Sequence, residues 1–302
     1  MISEKHILAT EATHGALIAK LIELNPNKVN WVFSHSTLAA RHLAEDFAFF
    51  HTWNRSVEEL PYESLIFPEL LDDNGSEKSG PEYFSRYCDR LEILQKLSIV
   101  KNNNMPLILF TTPKALQQEI PEKEEILQRK IQLEVGQEFD FDQLKTTLSD
   151  DLGYFTEALC EGPGQYSIRG GILDVYPVNL PYPIRIDFFG DEVEDIKSFD
   201  PTNQKSENPL NQIDILPSPE ELRHSMGSIQ DYLQESTHFF FIDSANLKDE
   251  NPELFYSSHR NLSLFDRIFQ RKKKGNSKDR LFEIQENSFA GWIDSFKPKV
   301  VK

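Results

Sequence analysis

Between residues 183 and 189 the side chains alternate with period two, so that Ile184, Ile186 and Phe188 fall on one side of an extended chain and Arg185, Asp187 and Phe189 on the other. The apolar side is a core face. The other side carries a large aromatic beside a guanidinium, residue types favoured where proteins bind one another. Gly190-Asp191 fits a two-residue hairpin loop, and 193–199 reads as the returning strand. Upstream, Ser167 and Arg169 alternate with Tyr166 and Ile168 before Gly170-Gly171, a pair that predicts a bulge or a close approach of backbone.

Elsewhere strands and helices take turns. Val29–Phe33 alternates like a strand, and Ser36 is placed to cap a helix in which Ala39, Leu43, Phe47 and Phe50 recur at helical spacing. Phe84, Tyr87, Leu91 and Leu94 mark a second helix; 107–110 is a short apolar run before a helix opened by Pro113. This alternation predicts an α/β layer with a parallel sheet. Residues 72–81 read as a polar, mobile loop. From Gly136 the pattern changes to short strands, turns and one helix over 140–148, which predicts a separate, smaller α+β domain. Leu222, Met226, Ile229 and Leu233 then mark an amphipathic helix before the apolar strand run Phe239-Phe240-Phe241-Ile242-Asp243. The α/β pattern thus resumes, and the expected organisation is a discontinuous α/β domain of 1–128 and 216–302 with an insertion at 129–215.

Composition narrows the functions open to this chain. Its 302 residues suffice for two cores, and no apolar run reaches the roughly 18 residues of a membrane helix. No signal-peptide pattern opens the sequence, so the expected location is the cytoplasm. Cys88 and Cys160 lie far apart without a Cys-x-x-Cys pair and are expected to be plain thiols. The eight histidines lack His-x-x-x-His spacing, which argues against a metal site; His35, His42 and His51 are expected at exposed or interfacial helix positions. Net charge is −17, and residues 129–215 hold 7 bases against 17 acids, a poor surface for nucleic acid. The basic run at 271–274 is expected to be a solvated loop, with contact to a phosphate backbone as the alternative. Asp191, Glu192, Glu194 and Asp195 read as a solvated edge and not as acid/base machinery.

The block 164–177, followed by 183–192 and 198–206, with its glycines, arginines and aromatics in order, resembles the domain that the excinuclease protein UvrB shares with the bacterial transcription-repair coupling factor. Leu60-Pro61-Tyr62-Glu63-Ser64, the stretch 86–94 and Thr112-Pro113-Lys114-Ala115-Leu116 are similar to the coupling factor's N-terminal, UvrB-like module, so the resemblance covers roughly residues 1 to 250. It implies a P-loop or helicase-like α/β domain carrying an inserted domain that contacts the excinuclease protein UvrA. Carried over by motif, the contact residues are Arg169, Arg185 and Phe189. For Arg185 the alternative is a pair with Glu192 or Glu194, for Phe189 packing under a loop, and for Arg169 hydrogen bonds to carbonyls of the bulge.

A working nucleotide site needs Gly-x-x-x-x-Gly-Lys-Ser/Thr, because backbone amides and a lysine hold the phosphates and a hydroxyl holds magnesium. In the family's register Thr10 to Gly15 occupies the loop, with Ala16 at the lysine position and Leu17 at the hydroxyl. Asp243 keeps the acidic position of the second motif, but Ser244 stands where a carboxylate activates water. The expectation is a degenerate site without cofactor or catalysis, and a recruitment module for transcription-coupled nucleotide excision repair. The scattered Tyr62, Tyr83 and Tyr87 do not make an aromatic DNA hairpin, which separates the chain from UvrB itself. The rival reading is a UvrB-like or helicase-related protein with ATP-dependent DNA activity. In the full-length family, RNA polymerase and DNA are met by other domains, so this sequence is expected to be a fragment or a short form.

Overall fold

The computed structural model describes residues 14–23, 29–52, 62–70, 80–99, 107–222, 227–232 and 238–241. Two compact units emerge, one from residues 1–66, 104–111 and 236–302, the other from 67–103 and 112–235. The loop read at 72–81 and the basic run at 271–274 lie outside the described residues, apart from the loop's last two positions.

In the first unit, strands β1 (Val29–Phe33), β2 (Glu63–Ile66), β3 (Leu107–Thr111) and β12 (His238–Phe241) form a wholly parallel sheet in the order β12-β1-β3-β2. Every residue of β1 and β3 is buried, Asn30 included. The alternation in β1 therefore identifies the strand but not an outer face, since a parallel strand is covered on both sides. Helix α1 (His14–Glu23) packs on α2 (Thr37–Thr52). Ser36 caps α2 as its sequence predicts, its Oγ accepting from the Ala39 amide at 3.2 Å. Leu43 and Phe47 face the core, where the Phe47 ring meets Tyr62 and Phe110 at 5.2 and 5.8 Å. His51 is not at an interfacial position: it is buried, 4.2 Å from the Tyr62 ring and 5.3 Å from Phe47. Its helical spacing from Phe47 turns it inward with the apolar stripe.

The second unit is built on a six-stranded sheet of β5 (Phe155–Thr156), β6 (Gln165–Arg169), β7 (Ile172–Val175), β8 (Ile184–Phe189), β9 (Glu192–Phe199) and β10 (Ser206–Pro209). Their order across the sheet is β10-β9-β8-β7-β6-β5. All neighbours are antiparallel except β5 with β6. A separate ribbon pairs β4 (Ile131–Glu134) with β11 (Gln212–Ile215). Ile168, Leu173, Ile186 and Ile196 lie directly opposite one another across the sheet, and the last three are fully buried. Helix α5 (Phe141–Thr146) starts where Asp140 accepts from the Gln143 amide, and it runs on into a π-helical turn, Thr147–Asp151. The chain is thus a mixed α/β protein with several sheets.

Helix α3 (Pro81–Ile99) buries Tyr87, Leu91 and Leu94, as its periodicity predicts, together with Arg90. Arg90 donates to the carbonyls of Pro68, Ala115 and Glu119 at 2.9 to 3.0 Å, and its guanidinium lies 4.2 Å from the Phe67 ring centre. Burial pulls its pKa down to about 10. Pro113 opens a 3-10 turn, Lys114–Gln117, followed by helix α4 (Lys123–Arg129). Of the helix expected on Leu222, Met226, Ile229 and Leu233, the described residues show α6 (Pro219–Leu222) and α7 (Ile229–Tyr232) with Gly227 and Ser228 outside any helix, while Met226 and Leu233 lie outside the described residues. Between them Gly227 donates to the Ile120 carbonyl at 2.7 Å, and a side chain there would press on the Pro121 oxygen at 2.6 Å, so only glycine fits this position.

Cys88 and Cys160 are buried free thiols. Burial raises both pKa values, that of Cys160 to about 12. Folded protein at pH 8 should therefore resist alkylation by iodoacetamide for hours, with both thiols labelled once urea unfolds it; mass spectrometry after a timed quench reads the difference, and rapid native labelling would contradict this packing.

Candidate functional site

Two rows of residues run across strands β6 to β9 on the side away from the isoleucine row. Arg169, Ile172, Asp187 and Asp195 stand opposite one another in the first, Ser167, Asp174, Arg185 and Lys197 in the second. Antiparallel partners share a face, so these eight side chains and Phe189 form one surface. The alternation read from residues 183–189 holds: Ile184, Ile186 and Phe188 are buried, Arg185 and Asp187 half-buried, Phe189 exposed. Phe188 packs on Phe141 at 4.7 Å.

Two glycine turns shape the upper end. Gly170 at φ +63° and Gly190 at φ +66° adopt the left-handed conformation that glycine takes without strain. Gly171 brings backbone close, since a Cβ there would lie 2.5 Å from the Phe188 oxygen. That contact is the close approach its sequence predicts. At this end Phe189 is 73% exposed, Ile172 is 37% exposed, and Arg169 is exposed with one 3.4 Å bond to the Ala158 carbonyl. The carbonyl belongs to the segment after β5, not to the Gly170-Gly171 turn. Neighbouring Leu159 is also exposed.

Arg185 is held differently. Its side chain is 19% exposed and grips Asp174, which is 1% exposed, through two parallel bonds: Nε to Oδ1 at 2.7 Å and Nη2 to Oδ2 at 2.8 Å. Nη1 donates to the Gln204 carbonyl at 3.1 Å, and the guanidinium lies 4.9 Å from the Phe199 ring centre. These hydrogen bonds to Asp174 raise its pKa. The partner is thus neither Glu192 nor Glu194 but a carboxylate two strands away from either. Of the three cations on β6–β9, Lys197 pairs with Asp195 and Arg185 with Asp174, which leaves Arg169 as the one no described carboxylate holds. Asp191 accepts from the Phe141 amide, and it, Glu192 and Glu194 are all exposed.

Asp174 and Ile172 are the residues of this face that sequence reading overlooks. A two-residue Gly170-Gly171 turn sets Arg169 opposite Ile172, so Ile172 was within reach of that signal. The positions expected to form a degenerate nucleotide site are only partly described. Thr10, Asp243, Ser244 and the Leu17 side chain lie outside the described residues. Ala16 is buried in α1, and a Cβ on Gly15 would stand 2.7 Å from Asp46 Cβ and 2.9 Å from the Phe47 amide of α2. Among the described residues no three His, Cys, Asp or Glu side chains group as metal ligands, and no helix is long and apolar enough to cross a membrane.

Residues 131–220, which span the two rows, match the UvrB interaction domain. The chain is 29% identical over 241 residues to the transcription-repair-coupling factor of Bacillus subtilis (strain 168), an alignment covering 78% of this chain and 19% of that protein. With the coupling factor of Myxococcus xanthus it shares 41% identity over 88 residues, 29% of this chain and 7% of the relative. With that of Borreliella burgdorferi it shares 29% over 168 residues, 54% of this chain and 15% of the relative. The chain therefore spans about a fifth or less of the length of these relatives. Residues 131–220 are thus similar to the UvrB interaction domain, and 78% of the chain is similar to part of a transcription-repair-coupling factor.

Proposed function

We propose that this chain is a non-catalytic recruitment module that docks the excinuclease protein UvrA in transcription-coupled nucleotide excision repair. The observation that carries this reading is Phe189, an aromatic standing 73% exposed at the open end of a UvrB interaction domain, with Ile172 and the uncompensated Arg169 on the same face. A solvent-exposed aromatic next to a guanidinium fits an interface hot spot, and the surrounding acids favour a protein over DNA. Immobilised UvrA should retain the wild-type chain and release Arg169→Ala/Phe189→Ala, with both proteins showing the same circular dichroism. Undiminished retention of the double variant would overturn the reading.

The first unit is, in this proposal, a degenerate P-loop or helicase-like domain. Its parallel sheet supports that view, as do the missing lysine at Ala16 and the close approach of Gly15 to Asp46 and Phe47 of α2. Titration with ATP and magnesium should give no heat and no change in melting temperature; micromolar affinity would restore the ATP-dependent alternative. RNA polymerase and DNA enter only through the other domains of a full-length coupling factor.

A further inference from the structure

We propose that Asp174 is a positioning residue of the docking face, fixing Arg185 as a rigid, charge-neutral part of its wall so that Arg185 does not meet the partner as a free cation. This rests on the docking reading. Arginine has five N–H groups, and here three are spent: two on the buried Asp174 carboxylate in a fork-to-fork pair, one on the Gln204 carbonyl. The Phe199 ring lies against the same guanidinium. Turning Arg185 outward toward another protein would strand a buried carboxylate without a counter-charge, which a docking contact has no means to offset.

The clamp joins three segments. Asp174 lies on β7 and Arg185 on β8, while Gln204 lies in the turn between β9 and β10. That turn is itself tied down: Asp200 accepts from the Thr202 amide and hydroxyl and from Asn203, and Gln204 takes a left-handed φ of 61° that is uncommon outside glycine. Arg185, Asp187 and Phe189 are successive residues of one face of β8. A guanidinium locked at the first of them fixes the wall along which the anchor stands, and pre-ordering of that kind lowers the cost of docking.

The test compares Asp174→Asn, Arg185→Lys, Arg185→Ala and Asp174→Asn/Arg185→Ala in the full chain. Affinity for purified UvrA is measured at two sodium chloride concentrations, and amide hydrogen exchange is followed in the free chain. Positioning predicts that Asp174→Asn and Arg185→Lys each weaken binding about tenfold, like Arg185→Ala, and that the double variant is no weaker than either single one. The salt dependence of binding should stay that of the wild type in Arg185→Lys and in the double variant, which conserve the net charge of the face, whereas Arg169→Ala should flatten it. Amides of 200–206 should exchange faster in Asp174→Asn. Wild-type or tighter binding by Asp174→Asn or Arg185→Lys would overturn the proposal, and so would a lowered melting temperature with unchanged affinity. If the wild type itself fails to bind, the docking reading falls, and the clamp is then judged by exchange alone: unchanged rates at 200–206 in Asp174→Asn would dismiss it too.

Discussion

Phe189→Ala should weaken docking of UvrA by roughly 30-fold or more, about 2 kcal/mol, and leave the melting temperature unchanged. The second half follows from exposure, because a ring already 73% in solvent gives up almost no buried area when it is removed. The first half follows from what the ring brings to an interface. It is large, it has only two side-chain torsions to freeze, and it stands at the end of β8 just before the Gly190 turn, on strand backbone and not on a mobile loop. Isothermal titration and thermal unfolding of the same preparations separate the two effects. A variant that binds like the wild type, or one that loses affinity only in proportion to lost folding, would remove Phe189 as the anchor.

Arg90→Ala should destabilise the second unit by about 3–5 kcal/mol, the range seen when a buried charged group is taken from its partners. Three carbonyls, of Pro68, Ala115 and Glu119, would lose their donor at once, and the space over Phe67 would empty. Arg90→Lys should recover little, because one ammonium cannot span three carbonyls that a planar fork reaches together. With a folded-state pKa of about 10 and a still higher unfolded value, the guanidinium is charged in both states below pH 10, so the loss should be the same at pH 6 and pH 8. Urea unfolding monitored at both pH values is the measurement. A shift under 1 kcal/mol would mean that water replaces the guanidinium without penalty, and that the site is less closed than its geometry implies.

Much of the β6–β9 face is legible in the sequence because an antiparallel strand with one buried side must alternate, and β8 does so from Ile184 to Phe189. The partner of Arg185 is not legible. The nearest turn, Gly190-Asp191, directs attention to Glu192 and Glu194, but a register shift between Asp187 and Phe188 changes which β9 residues stand opposite β8. The true partner, Asp174, sits across a connection of eight residues, 176–183, too long for a turn to dictate register. The first unit shows the same division. Its strand and helix types follow from periodicity, and the Ser36 cap from residue chemistry. The placement of β12 beside β1 joins segments some two hundred residues apart, and no local pattern encodes that. His51 went inward because helical phase, which it shares with Phe47, outweighed its polarity.

That pairing of β12 with β1 has a bearing on synthesis. β1 is completed early in translation, yet its free edge has no neighbour until the chain reaches residue 241, after every strand of the second unit has been made. The second unit can finish folding on the ribosome while Trp31, Val32 and Phe33 still present an open, apolar strand edge. A nascent chain arrested before β12 would carry a finished second unit on an unfinished first one, and such a chain is where aggregation or chaperone capture should set in.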